Sequence, residues 1–470
     1  MNFNESQYTN KEEANSLISR YENMMITGKN QYFDVSEFEI IIDFFLSHDN
    51  NSKAERVINY AINIHPTSNE LKLKQAYVCF KIKKYSSALS ILDKLQNIEP
   101  SNSDIYFLKG KVFILLNQNK KAFQYFNKAL EIQSETSYVT DLCFEIAIFL
   151  EQEEKYEQAL KYFLKCYEID SEDNEVIYEI ASCYDIIEKY EKSIEFYQKI
   201  LDIEPFDDEI WYNLGIVYNK IEDVEKALEA YDFALAIDEK SLFANFNKAN
   251  TLANIKKYDE AIPYYKEFIS QVDDNSQAFS YLAECYRNIN KLDQAIEYYD
   301  KALKINNECS EAFYGKTLVF YETENYEKAL NTIIKAIKIE KQNSDYLFIY
   351  AKISTKLNNL ENAEKAYNQA LEIVPNDKEV WISYAKFLFN QGLLNEAIEL
   401  LIKADKIIIN EAEINFSIAA LLLKINNDDQ AFNFFEKGLV IDFNKANVFF
   451  SFNPQAKTNE KIKSLINKYK

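Results

Sequence analysis

Apolar and small side chains recur along this chain on two scales. Within short windows they fall at i, i+3, i+4 and i+7, which is one face of an α-helix. Over longer distances the smallest of them keep a fixed interval. Ala54, Ala88, Ala122, Ala159, Ala227, Ala261, Ala295, Ala329, Ala363, Ala397 and Ala431, with Ser193 in the single gap, are separated by ten steps of 34 residues and one of 37. A period of this size predicts stacked copies of one supersecondary unit in place of a single globular core.

Numbering each unit so that these residues occupy position 20 starts twelve repeats near Val35, Asn69, Ser103, Thr140, Asn174, Asp208, Leu242, Ser276, Ser310, Ser344, Lys378 and Ala412. Most carry apolar or small residues at positions 4, 8 and 11 and again at 20, 24 and 27, so each repeat is predicted to be two amphipathic helices, A and B. Position 8 is small in eleven of the twelve repeats and position 20 in all of them. Helices that meet at small residues can bring their axes close together. Pro66, Pro100, Pro205 and Pro375 fall at position 32, where the missing donor ends helix B. Asn174, Asp208, Ser276 and Ser344 are the expected caps of helix A. The pattern also has departures. Ile42 takes the small position 8, Lys72, Asn245 and Asn415 put polar groups at position 4, and Leu95, Ile200 and Phe268 replace the small residue at position 27. The long interval adds residues between Ser134 and Thr140, a candidate widening or hinge. Pro263 lies inside a helix B and is expected to kink it mildly.

These positions resemble the tetratricopeptide repeat, whose signature runs W-x2-L-G-x2-Y and then A, F or Y, A and P. Repeat 6 matches best, with Trp211, Leu214, Gly215, Tyr218, Ala227, Tyr231 and Ala234, and Glu239 in place of the proline. Repeat 10 carries Ala351, Ala363, Tyr367, Ala370 and Pro375; repeat 11 carries Trp381, Ala385, Ala397 and Ala404. The resemblance implies an all-α, right-handed superhelical solenoid of about twelve helix-turn-helix units with a concave groove. The segment YFDVSEFEIIIDFFL is also similar to the opening of a group of uncharacterised bacterial members of that family, which carries no function with it.

A stack needs capped ends. The chain therefore divides into an N-terminal segment over 1–34, the solenoid over 35–445 and a C-terminal segment over 446–470. Residues 9–27 are predicted to form an amphipathic helix with Ala14, Leu17, Ile18, Tyr21, Met24 and Met25 on one side, stopped by Gly28. Asp34 and Glu37 read as a capping box. Residues 456–469 read as a solvating cap, with Ile462, Leu465, Ile466 and Tyr469 on its apolar side. A basic helix that docks on a partner or lipid is the alternative.

Composition narrows the function. A net charge of −22 repels phosphate backbones and anionic membrane surfaces, so no nucleic acid partner is expected. No window approaches the ~18 consecutive apolar residues of a membrane span, and the opening residues lack a basic stretch followed by an apolar core. No membrane insertion and a cytoplasmic location are the expectation. The six cysteines form no CxxC pair and read as reduced, mostly buried thiols. The two histidines, His48 and His65, make neither a metal motif nor a triad, and no phosphate-binding glycine loop occurs. Neither an enzyme nor a cofactor is expected. Position 2 is acidic in nine repeats, which suits the positive end of each helix A dipole.

In the resembled family, positions 2, 5, 9, 12 and 13 of helix A line the concave face. Position 5 holds Tyr178, Tyr212, Phe246, Tyr314 and Phe348 among other aromatics, which either pack on a neighbouring helix or offer area to a ligand. Asn213 and Asn247 at position 6, Asn250 at position 9, and Asn254 and Asn288 at position 13 could bond an extended peptide, as similar asparagines do in some family members. Abundant asparagine in the chain is the plainer reading. Charge along this face is uneven. Glu145, Glu151, Glu175, Glu179 and Asp185 cluster in repeats 4 and 5, and Lys352, Lys356, Lys386 and Lys424 in repeats 10 to 12. A groove that orients one partner segment would look like this, and so would unrelated solvated charges. The family's chaperone-tail clamp is absent, since no repeat has Lys at position 5 and the lone Asn at position 9, Asn250, follows Phe246. The resulting expectation is a non-catalytic scaffold that binds a protein or extended peptide. An accessory, substrate-selecting subunit of an enzyme complex, such as a glycosyltransferase, and a self-associating structural protein are the alternatives.

Overall fold

The computed structural model describes residues 11–28 and 30–469, with side chains from Asn15 onward. The predicted start of the first helix at residues 9 and 10 lies outside the described residues, as does the side chain of Ala14 in its stripe. Among the described residues every regular element is helical. Helix A begins at the predicted first position in eleven repeats. Repeat 4 is the exception, where the helix runs Thr136–Gln152 and the extra residues form an added turn. Two compact bodies, Met1–Asp223 and Val224–Lys470, divide the chain between helix A and helix B of repeat 6. Within each, A packs on B and B on the next A.

The small positions do what their size predicts. Ser193, the exception at position 20, is fully buried, and its hydroxyl donates to the Ala181 carbonyl at position 8 over 2.8 Å. A Cβ on Gly110, at position 8, would collide with the Phe126 ring, and one on Gly438 would lie 2.8 Å from Phe416 Cε1. Overpacking of such contacts costs about 1–3 kcal/mol.

Three polar ties repeat around this apolar seam. First, the side chain at position 4 reaches the position-32 carbonyl of the preceding repeat. Tyr106 donates to Pro100 O at 3.0 Å, Trp211 to Pro205 O at 2.9 Å and Trp381 to Pro375 O at 2.8 Å. Asn245, which looked like a defect, makes the same bond to Glu239 O at 3.1 Å. Second, position 1 bonds position 31 of its own repeat, as in Asn69 to Glu99 at 2.8 Å and Ser103 with Gln133 at 2.7 Å. Third, position 25 faces position 7 of the next repeat, where Asp93, Asp232 and Asp300 hold Lys109, Lys248 and Lys316. The Lys109 side chain is 1% exposed and its Asp93 partner 67%, so the stem lies in the core while the ammonium reaches a surface carboxylate. Each pair of this kind joins helix B of one hairpin to helix A of the next.

The helix caps correct one expectation. Asp173, Asp207, Asn275 and Asn343 are the caps, each with its side chain accepting from backbone N–H groups of the first turn. The predicted Asn174, Asp208, Ser276 and Ser344 are the first helical residues. A cap needs extended backbone so that its side chain can fold back onto the turn, and the residue before position 1 has that conformation. The expected box at Asp34 and Glu37 is present, and Gly28, at φ +68, donates to Met24 O at 2.9 Å where its helix ends. Helix Tyr258–Gln271 continues through Pro263. At the other end, helix Glu460–Tyr469 buries Ile462, joins Lys468 to Glu436 at 2.7 Å and lays Lys461 over the Phe432 ring at 4.0 Å.

Position 15 carries a feature the apolar pattern does not show. In all twelve repeats the A–B turn passes through the left-handed region, with φ between 53 and 79. Only Gly392 is a glycine there. A side chain in this region costs about 1–2 kcal/mol, relieved partly by asparagine. Replacing Glu154 and Glu324 by glycine should therefore stabilise the local hairpin by about 0.5–1 kcal/mol each. The gain would be read as slower amide exchange in repeats 4 and 9, and Gly392→Ala should do the reverse. Faster exchange in the glycine variants would refute the strain.

Candidate functional site

The candidate surface is the face of helix A bearing positions 2, 5, 9, 12 and 13. Its aromatic residues first serve the hairpin. The ring at position 5 meets the ring at position 24 of its own repeat. In the N-terminal body Tyr178 lies 6.1 Å from Tyr197. In the C-terminal body Phe246 lies 6.0 Å from Tyr265 and Phe348 lies 6.3 Å from Tyr367. Tyr314 turns instead to Tyr346 of the following repeat, at 4.9 Å. Tyr178, Tyr212, Phe246, Tyr314 and Phe348 nevertheless stay only half-buried, so each presents a ring edge on this face.

The amides are engaged inside the protein. Asn213 donates to the Tyr178 hydroxyl at 3.4 Å, which donates in turn to Glu209 at 3.3 Å. Asn250 accepts from the Tyr265 hydroxyl at 2.6 Å. Asn247 and Asn288 donate to carbonyls of their own helices, Phe243 O at 3.0 Å and Glu284 O at 2.9 Å. Asn254 is exposed. Of the residues singled out in the sequence, the structure brings together Tyr178 with Asn213, Phe348 with Lys352, Lys352 with Lys356, and Glu179 with Glu151 and Glu175.

Charges on this face follow a register that runs from position 12 of one repeat to position 13 of the next. In the N-terminal body it joins Asp185 to Lys220 at 2.6 Å. In the C-terminal body it joins Arg287 to Glu322 at 2.6 Å. Both pairs are 35 residues apart, a signal present in the sequence once the period is known. Farther along, the residue at position 12 is aromatic. Lys424 at position 13 sits 5.1 Å from the centre of the Phe389 ring. Tyr321 occupies position 12 of repeat 9, before Lys356 at position 13 of repeat 10, and its ring lies 5.3 Å from Lys352 Nζ. Lys352 also lies 5.2 Å from the Phe348 ring, and Lys356 5.9 Å from Tyr326. Lys352, Lys356, Lys386 and Lys424 form no ion pair among the described residues. Burial holds Lys352 below the ordinary lysine range and Lys356 adds to this, against the pull of Glu379.

The acidic cluster lies in the N-terminal body. Besides Asp185, paired with Lys220, it contains Glu179, which is half-buried and pushed up to about 7 by burial and then by the negative charges of Glu151 and Glu175. Burial also raises Glu151, and raises Glu145 against the attraction of Lys111. Lys111 lies 4.9 Å from the Phe107 ring and 4.7 Å from Phe149, an arrangement that sequence inspection did not single out. The histidines hold backbone. His65 Nε2 is 2.8 Å from Phe33 O and His48 Nδ1 is 2.8 Å from Phe44 O. Among the described residues no three His, Cys, Asp or Glu side chains converge as a metal set would, and no helix is long and apolar enough to cross a membrane.

Comparison with known proteins gives several partial matches. Tetratricopeptide repeat family profiles match residues 175–207, 209–241 and 354–408. The profile of anaphase-promoting complex, cyclosome, subunit 3 matches 254–335 and 288–370, and that of the ChAPs (Chs5p-Arf1p-binding proteins) matches 13–186. No curated protein matches by sequence. Similar solved structures include the anaphase-promoting complex hetero-tetramer Cut9–Hcn1, at 14% identity over 87% of this chain and 94% of that one, with a TM-score of 0.42. The C-terminal part of a repeat protein from Cytophaga hutchinsonii is similar at 16% identity over 50% and 97%, TM-score 0.44. YrrB, described as a protein with an unusual peptide-binding site, is similar at 21% identity over 40% and 96%, TM-score 0.33.

Glu179 generates a test of the acidic cluster. Its folded value lies above the unfolded 4.5, so the folded state binds the extra proton between the two values. The group is therefore neutral in its effect below 4.5, and stability falls as pH rises from there through about 7. Glu179→Gln should raise the urea midpoint above pH 7, and the gain should vanish at pH 4.5. A gain independent of pH would show that the charge is not the cause.

Proposed function

The chain is a tetratricopeptide repeat protein, and we propose that it works as a non-catalytic scaffold in the cytoplasm whose helix A faces hold an extended segment of a partner protein. The row of cations on helices A of repeats 10 to 12 carries this reading. Interfaces elsewhere use their charges on each other, as Asp185 does with Lys220 and Arg287 with Glu322. Lys352, Lys356, Lys386 and Lys424 have no such partner among the described residues. The half-exposed edges of Tyr314 and Phe348 lie along the same face of the C-terminal body, adding apolar area at low entropic cost. Within the N-terminal body Tyr178, Tyr212 and Asn213 would offer ring edges and a tyrosine-bound amide to such a segment. Within the C-terminal body Phe246, Asn247, Asn250, Asn254 and Asn288 would offer a ring edge and amides, of which Asn254 is exposed and the other three are bonded internally. The six cysteines are free thiols, consistent with a reducing compartment.

A photoreactive benzoylphenylalanine placed at Lys386 or Asn254, both exposed on helix A, should yield covalent adducts with a partner protein in cells that express the chain. The same residue at Lys406 or Val440, exposed on helix B, should not. Adducts from the helix B positions alone would overturn the proposal.

A further inference from the structure

We infer that the segment held by repeats 10 to 12 is acidic, with carboxylates alternating with apolar residues about three positions apart. This rests on the scaffold reading and names the chemistry of its partner. Positions 12 and 13 of successive repeats are used in two ways. In repeats 5–6 and 8–9 they neutralise each other, with opposite polarity in the two cases. In repeats 11–12 the same two positions are Phe389 and Lys424, and the lysine is held by a ring. In repeats 9–10 they are Tyr321 and Lys356, with Tyr321 beside Lys352. A ring steadies an ammonium without cancelling its charge. None of the four lysines thus forms an ion pair among the described residues, in a chain whose net charge is −22. Lys352 is half-buried, attracted by Glu379 of the next helix A and repelled by Lys356. A carboxylate on a partner would supply the missing member of each pair.

Spacing follows from the packing. Helix A of repeat 11 (Lys378–Asn390) touches helix A of repeat 12 (Ala412–Lys424), and touching helices stand about 8–10 Å apart. Three residues of extended chain cover about 10 Å. A strand of partner crossing these two helices would therefore pass from Lys386 to Lys424 in about three residues, and its intervening side chains would meet Ile382 and Phe389. A nucleic acid strand is the competing anion, and the overall negative charge of the chain opposes it.

The test is selection of random 16-residue peptides displayed on phage against the full chain. The enriched pool should gain aspartate and glutamate at spacings near three. Representative peptides should lose about tenfold or more in affinity for the variant K352E/K356E/K386E/K424E. Phe389→Glu, which keeps every lysine but gives Lys424 an internal partner, should weaken them in the same direction. If that variant fails to fold, the charge reversal decides alone. Enrichment without acidic residues, affinity indifferent to the four reversals, or no enrichment would each overturn the inference. So would displacement of the peptides by a 20-nucleotide single strand at equal concentration. Photo-adducts at Lys386 would survive the first two of these outcomes, so loss of the acidic preference is distinguishable from loss of the scaffold reading.

Discussion

The fold depends on how closely helix A can approach helix B. Side chains at positions 8 and 20 set that distance, and both are held to a methyl group or less in nearly every repeat. Ser193 shows how close the seam is, since its fully buried hydroxyl bonds the Ala181 carbonyl across it. Gly110 shows the same from the other side, because the Phe126 ring fills the place its Cβ would take. With the axes fixed by these residues, the larger groups at positions 4, 11 and 24 fall into place around them. The aromatic rings at positions 5 and 24 then close the hairpin.

Repetition turns that local constraint into a surface. Each hairpin presents the same helix A positions, so any residue type recurring there forms a line. The ties between hairpins are local as well: position 4 to position 32, position 25 to position 7, position 12 to position 13. A chain built this way can change the chemistry of one stretch of its face without disturbing the rest. Position 12 is such a place: in repeat 5 Asp185 pairs with Lys220, and in repeats 9 and 11 rings stand beside Lys352 and Lys424.

Much of this was readable from the sequence, because period and side-chain size are local properties. Eleven of the helix A starts follow from the ruler residues alone, and the capping box at Asp34 follows from two letters. Other features needed coordinates. The caps lie one residue earlier than Asn174 or Ser276 because a cap is defined by backbone angles, which composition does not reveal. The left-handed turns at position 15 were hidden because Glu, Lys and Asn stand where glycine would have announced them. Asn245 looked like a flaw until its amide was seen on the Glu239 carbonyl. On the candidate face, the lysines were visible as residues, but that they form no ion pair among the described residues was not. Pairing depends on which side chain lies across the next groove, 35 residues away in the pairs that do form.

The most direct test of the central constraint is amide exchange in Ala295→Leu. Ala295 is fully buried at position 20 of repeat 8. A leucine there must force helix Leu292–Ile305 away from helix Ser276–Asn288. Because each hairpin leans only on its neighbours, protection should fall in repeats 7 to 9 and remain unchanged in repeats 11 and 12. Unchanged protection throughout, or equal loss across the whole body from Val224 to Lys470, would contradict the account.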